Sequence, residues 1–173
     1  PEGLLAAIGA ATDSIRIGSG GIMLPHYSAF KVAEAFSLLA TLYSGRIDLG
    51  IGRAPGSDMD TARILATDGR PKFERFPILV EQLEQMIHDR SFRPKVTPVP
   101  PINPEIWMLG SSQDSAVLAA QRGLPYNFAF FINNRMVPQL FDYYRNNFQP
   151  SDQLAEPKTI LTMNVMVAED YRS

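Results

Sequence analysis

Five strand-length apolar runs, at residues 15–24, 47–52, 105–109, 126–132 and 159–167, alternate with stretches whose apolar residues recur at helical spacing. Each connection between runs is long enough for a right-handed crossover back to the start of a neighbouring strand. The sheet is therefore expected to be mostly parallel, and a parallel sheet needs cover on both faces. An open doubly wound sheet and a closed barrel both provide that cover, and the alternation alone leaves the choice open.

The helical stretches carry their own punctuation. Leu4, Leu5, Ile8 and Ala11 space a helix over 2–11, closed by Thr12-Asp13-Ser14. Ser28 is placed to cap a helix over 29–44, with Val32, Phe36, Leu39 and Tyr43 on one stripe and Gly45 as its stop. Pro77 opens a helix to Arg90, with Ile78, Leu79, Leu83, Met86 and Ile87 apolar and Glu81, Gln82, Glu84 and Gln85 turned to water. Helices are also expected over 111–122, closed by Gly123, and over 137–148. The polar stretch from Ala54 to Phe76 is longer than an ordinary connection, which marks it for function or mobility; 94–104, rich in proline, is an extended connector.

With 173 residues, 45% of them hydrophobic, the chain can bury its core as one domain over 1–173. A net charge of −2 and a pI near 5.7 argue against nucleic acid or an anionic membrane as partner, and no apolar run is long enough to span a bilayer. Zero cysteines exclude disulfides, thiolate metal sites and cysteine nucleophiles. That composition fits a cytoplasmic protein, as does the lack of a signal-like leader. The first residue is Pro1 rather than methionine, and both ends read as cut.

Two places carry the pattern of an anion site. The run Arg46-Ile-Asp-Leu-Gly-Ile-Gly-Arg-Ala-Pro55 is a short strand ending on Gly52 and Arg53. Loops at the carboxyl ends of parallel strands are where α/β proteins bind ligands, and a guanidinium offers a fork of donors suited to phosphate. Downstream, Gly110 permits a tight turn from strand to helix, with Ser111, Ser112 and Ser115 in the first turn. Free backbone N–H groups, hydroxyls and the helix dipole would converge there on an anion. Either serine could instead merely cap the helix. With Arg53 also at a strand end, a bound phosphate explains the pair better than coincidence.

Other residues are weaker candidates. Gly20 and Gly21 lie inside a strand, where two glycines suggest a bulge, an unusual peptide, a flat ligand against bare backbone, or close helix packing. They also favour part of a barrel. His26 reads as a helix-entry or surface residue and His88 as an exposed helix end, so a histidine metal site has little support. Asp58 and Asp60 read as solvated, and Asp48 as a possible acid–base carboxylate. Phe128, Phe130 and Phe131 read mostly as core, with one face available to a planar ligand.

Three runs, Ile17 to Glu34, Ser44 to Gly56, and Leu109-Gly-Ser-Ser through Gly123-Leu-Pro, together resemble the bacterial luciferase-like, flavin-dependent monooxygenases, in that family's order and over nearly the whole chain. The match is nearest the uncharacterised oxidoreductase branch. The resemblance implies a (β/α)8 TIM barrel binding FMN, in reduced form supplied by a separate reductase, at the carboxyl ends of its strands. It places Arg53 with Ser111, Ser112 and Ser115 on the FMN phosphate, after the turn at Gly110. It sets a non-prolyl cis peptide at Gly20 and Gly21 beneath the flavin ring, and Phe130 near that ring. It names no catalytic residue here and no metal.

The implied reaction is monooxygenation of an aldehyde or similar small substrate with O2. Set on the family pattern, the chain runs from the helix after the second barrel strand to the seventh strand. Strands three to seven are thus expected, without the N- and C-terminal barrel portions and without a histidine that the family often carries on its second strand. A fragment, a truncated product, or an assembly completing the sheet through a homodimer or partner chain would each account for this. The alternatives are a non-catalytic flavin-binding paralogue or partner subunit, and a deazaflavin-dependent oxidoreductase of the same superfamily.

Overall fold

The computed structural model describes residues 2–53, 58–66, 69–135 and 137–167. The parts of the expected polar stretch at 54–57, 67 and 68, and the chain after 167, lie outside the described residues. Five strands, β1 (Ile17–Met23), β2 (Ile47–Gly52), β3 (Glu105–Gly110), β4 (Tyr126–Ala129) and β5 (Thr159–Thr162), follow one another in chain order. The described pairings of β1 with β2, β2 with β3, and β4 with β5 are all parallel, as the long connections require. Helices α1 (Glu2–Ala11), α2 (Ala29–Leu42), α3 (Met59–Leu65), α4 (Phe76–His88), α5 (Gln113–Arg122) and α6 (Val137–Asn147) alternate with them. The chain divides into two compact units, residues 1–109 and 110–173.

In the first unit, β1 to β3 turn Ile17, Ile22, Ile47, Leu49, Ile51, Ile106 and Met108 inward. Val32, Phe36 and Leu39 of α2 and Val80, Leu83 and Ile87 of α4 are buried as well, and α2 packs on α4. Burial of side chains of this size is worth about 1.5–3 kcal/mol each, which is what holds a glycine-rich sheet together. On β1 and β2, glycines stand at alternate positions. A Cβ on Gly50 would lie 2.1 Å from the Ser19 carbonyl oxygen, and one on Gly18 would lie 2.5 Å from that of Asp48.

The strand at 15–24 is interrupted where its glycines suggested. Ser19 pairs with Leu49 but Ile22 with Ile51, so β1 carries one residue more than β2 across Gly20-Gly21. This bulge returns Ile22 to the buried face shared with Ile17. The Gly20–Gly21 peptide is cis.

In the second unit, α5 packs on α6, and Tyr126, Phe128, Phe141 and Tyr144 form a ring cluster with centroids 5.6–6.3 Å apart. Gly123 ends α5 at φ 62°, a conformation that favours glycine. Strands β4 and β5 end sooner than the apolar runs suggest. Residues 130–132 form a turn, and Val165, Met166 and Val167 are almost fully exposed and outside any strand.

Several local expectations are corrected. The stretch 54–76 contains α3, whose signal is its cap: Asp58 accepts from the backbone N–H groups of Asp60 and Thr61 at 2.9 Å. Ser28 sits at the N-cap of α2 but makes no side-chain cap bond. His88 is not exposed: its Nδ1 accepts from Asn103 Nδ2 at 3.2 Å, and burial pushes its pKa down. Ile78, expected on the apolar stripe of α4, is exposed. Phe131 is 49% exposed, whereas Phe128 is core.

Candidate functional site

Parallel pairing puts the carboxyl ends of β2 and β3 at one edge. Ile51 pairs with Met108, and a Cβ on Gly52 would lie 3.6 Å from the Leu109 carbonyl oxygen. The residue that follows β2 is Arg53, which is exposed, and the residue that follows β3 is Ser111. Arg53 thus leaves the carboxyl end of a strand in the first unit, and Ser111 follows a strand end at the start of the second. That is the position from which α/β folds bind ligands.

The glycines of β1 line the approach within the first unit. A Cβ on Gly21 would lie 2.7 Å from the Gly50 carbonyl oxygen and 3.0 Å from Leu109 Cδ2, so its side is closed by backbone. A Cβ on Gly20 would meet nothing within 4 Å. The strand thus presents bare backbone to open space at Gly20, a surface on which a planar group can lie without displacing a side chain. Ser19 fixes the bulge from behind, its Oγ donating to the Gly50 carbonyl at 2.9 Å.

In the second unit, Ser112 is the N-cap of α5 in extended conformation and makes no side-chain cap bond. The capping explanation of this serine is therefore not realised. The first-turn N–H groups of α5 keep their donor character toward the helix N-terminus. Ser115 behaves differently. Its Oγ donates to the Ser112 carbonyl at 2.7 Å, lies 3.2 Å from the Tyr126 hydroxyl, and occupies the space that a Cβ on Gly110 would enter at 2.2 Å. Gly110 is glycine because Ser115 folds back over it. The Tyr126 hydroxyl also donates to the Gly110 carbonyl at 3.3 Å, and burial pushes its pKa up.

Phe130 follows β4 in the same unit. Its N–H donates to the Thr162 carbonyl at 2.9 Å, and its ring is half-buried. Asn133, three residues on, donates from Nδ2 to the Ser111 carbonyl at 3.0 Å, tying the turn after β4 to the serine turn. Sequence reasoning missed both Asn133 and Tyr126, whose residue types carry no signal of a distant carbonyl partner.

Asp48 is not placed as an acid or base. It pairs with Arg16, which donates from Nε to Oδ2 at 3.0 Å and from Nη2 to Glu105 Oε2 at 3.2 Å; Trp107 Nε1 donates to Asp48 Oδ1 at 3.1 Å. Hydrogen bonding to Asp48 raises the Arg16 pKa, so the cation is permanent and the network ties β1, β2 and β3 together at their amino ends. Among the described residues no group of three His, Cys, Asp or Glu could hold a metal ion, and no helix is long and apolar enough to cross a membrane.

Residues 3–172 match the family model of the luciferase-like monooxygenases. A luciferase-like monooxygenase of Escherichia coli (strain K12) is 43% identical over 171 residues, covering 98% of this chain and 51% of the relative. The N-acetyl-S-alkylcysteine monooxygenase of Bacillus subtilis (strain 168) is 40% identical over 141 residues, 77% of this chain and 42% of the relative. The chain spans about half the length of the curated relatives it matches.

Among solved structures, apo-MsnO8 superposes at a TM-score of 0.88 with 41% identity, covering 93% of this chain and 49% of that one. At lower identity the fold alone is shared. The oxygenating constituent of 3,6-diketocamphane monooxygenase of Pseudomonas putida, in complex with FMN, has a TM-score of 0.67 and 20% identity, over 87% and 49% of the two chains. An F420-dependent secondary alcohol dehydrogenase has a TM-score of 0.65 and 15% identity, over 92% and 52%. The parallel α/β fold is thus that of part of a luciferase-like TIM barrel.

Proposed function

The chain belongs to the luciferase-like monooxygenase family, and from that premise we propose that it carries the FMN-holding part of an enzyme that oxidises a small organic substrate with reduced flavin and O2. The observation that carries this reading is that each unit, taken by itself, offers a donor-rich strand end: β2 ends on Gly52-Arg53 in the first unit, and Gly110-Ser111 leads into α5 in the second. Arg53 supplies a permanent charge for the FMN phosphate, and Ser111, Ser112 and the first-turn amides of α5 supply neutral donors. Ser115 contributes mainly by shaping the turn, since its proton is directed at the Ser112 carbonyl. In the first unit Gly20 leaves room for a flat ring, and in the second Phe130 offers a half-buried aromatic face.

When bound, the flavin supplies the redox chemistry with oxygen; the side chains named here bind and orient it. Reduced flavin comes from a separate reductase in this reading, and the chain self-associates or pairs with a partner chain at its exposed apolar surface. A small thioether such as the N-acetyl-S-alkylcysteine named for the Bacillus subtilis relative is one substrate of suitable size. The test is a pair of fluorescence titrations, with FMN and with the deazaflavin F420, followed by oxygen uptake with chemically reduced FMN. Saturable FMN binding with substrate-dependent oxygen uptake is expected. Binding of F420 alone would overturn the FMN reading in favour of hydride transfer, and FMN binding without oxygen uptake would favour a non-catalytic flavin-binding chain.

A further inference from the structure

Three consecutive carbonyl groups at the entrance to α5 are each held by a side chain of the second unit. The Tyr126 hydroxyl donates to the Gly110 carbonyl at 3.3 Å, and Asn133 Nδ2 donates to the Ser111 carbonyl at 3.0 Å. Ser115 Oγ donates to the Ser112 carbonyl at 2.7 Å, which also accepts the Ala116 N–H at 3.4 Å. The donors come from β4, from the turn after β4, and from α5 itself.

Two of these donors have reasons of their own to be there. Ser115 lies in the same helical turn as Ser112, and Tyr126 is buried in the ring cluster for its apolar bulk. Asn133 has no such reason. It is half-buried and 22 residues from Ser111, and its carboxamide is engaged at both ends. Oδ1 accepts from the Arg135 N–H at 3.1 Å, which leaves Nδ2 as the end that faces the serine turn. The turn after β4 also has a backbone closure, the N–H groups of Ile132 and Asn133 meeting the Ala129 carbonyl at 3.1 and 3.3 Å. The Nδ2 bond therefore serves the serine turn.

A peptide group is planar, and in its trans form the N–H points away from the C=O. A donor on the Ser111 carbonyl thus fixes that oxygen on the protein side and the Ser112 N–H away from it. The first turn of α5 also carries the acidic Asp114. Anion binding there depends on how well the neutral donors are aimed, since net charge does not supply it. A turn already fixed loses no further freedom when the ligand arrives. We propose that Asn133 is a positioning residue for the FMN phosphate: by holding the Ser111 carbonyl, it sets the serine turn in its binding conformation before the cofactor arrives. This role rests on the reading of that turn as a phosphate holder, and adds to it a residue that acts through Ser111.

The test compares the wild-type chain with Asn133→Ala and Asn133→Asp, each checked for folding by far-ultraviolet circular dichroism. Alanine removes the donor without adding charge. Aspartate keeps the shape and the acceptor for Arg135, and turns an acceptor toward the Ser111 carbonyl. Calorimetric titration should find FMN weakened about fivefold or more in both variants, with riboflavin changed by less than about twofold. A residue that only holds the fold would weaken both flavins alike, and that outcome would overturn the proposal. So would unchanged FMN affinity in a folded Asn133→Ala.

Inorganic phosphate, followed through the Ser111, Ser112 and Gln113 amide signals by NMR, separates this role from the flavin reading. Phosphate should shift those signals saturably in the wild-type chain, and at about fivefold higher concentration in Asn133→Ala. That result, with FMN binding no tighter than riboflavin, rejects the flavin reading and keeps Asn133 as the organiser of an anion-holding turn. An equal preference for FMN over riboflavin in wild type and both variants rejects the positioning role alone. No phosphate response in the wild-type signals overturns the proposal whichever flavin binds.

Discussion

Gly20 and Gly50 are both strand glycines and answer to opposite constraints. A methyl at Gly50 collides with the Ser19 carbonyl oxygen at 2.1 Å and Leu109 Cδ1 at 2.9 Å, whereas one at Gly20 meets nothing within 4 Å. Gly50→Ala is therefore expected to destabilise the chain by about 3 kcal/mol or more, since backbone must move to admit it. Gly20→Ala should leave the unfolding free energy in urea within about 0.5 kcal/mol of wild type, yet weaken riboflavin and FMN alike by covering the bare backbone. Chemical denaturation and flavin titration of both variants check this. A stable Gly50→Ala, or unchanged flavin affinity in Gly20→Ala, contradicts it.

At the scale of elements, one half-buried and one buried side chain tie segments that the sequence shows only as separate. His88 ends α4 and accepts from Asn103, just before β3. Burial lowers its pKa from the ordinary 6.5, so the folded state holds it neutral. The unfolded chain then binds the proton more readily. Stability from this site is complete above pH 6.5 and declines as pH falls from there toward the lowered value. Thermal melts over that range should show the decline, and His88→Gln should flatten it; a slope unchanged in the variant would contradict the assignment.

Tyr144 of α6 does the corresponding work in the second unit, donating to the Leu124 carbonyl at 2.9 Å and accepting from the Lys158 N–H at 3.2 Å. Tyr144→Phe leaves both backbone groups without that partner and should cost about 1–3 kcal/mol by denaturant unfolding. Burial pushes the Tyr144 hydroxyl up to about 12 from 10.0, so its contribution is kept below pH 10.0 and is lost as pH rises toward 12. A neutral substitution, or a melt indifferent to alkali across that interval, would count against this bond pair.

At the scale of the whole molecule, periodicity and punctuation account for most of what was legible. Alternating apolar runs gave the five described strands, and Gly123 marked a helix end because its positive φ, 62°, favours glycine there, whereas α2 ends at Leu42 and Gly45, at φ 75°, lies in the turn beyond its cap. The strand ends of β4 and β5 were overrun, since Phe131, Val165 and Val167 are as apolar as strand residues and only their solvent exposure separates them. Helix α3 was hidden inside polar sequence; Asp58 is exposed as read, and its carboxylate also caps that helix. Arg53 and the serine turn stood out because glycine and a strand end frame each of them.

The central claim is that this chain grips a flavin by its phosphate. Calorimetric titration of FMN and riboflavin into the chain and into Arg53→Ala tests it most directly. FMN should bind the wild-type chain about tenfold or more tighter than riboflavin, and the gap should close in Arg53→Ala with riboflavin affinity unchanged. Equal affinities in the wild-type chain, or a parallel loss of both ligands in the variant, would contradict the account.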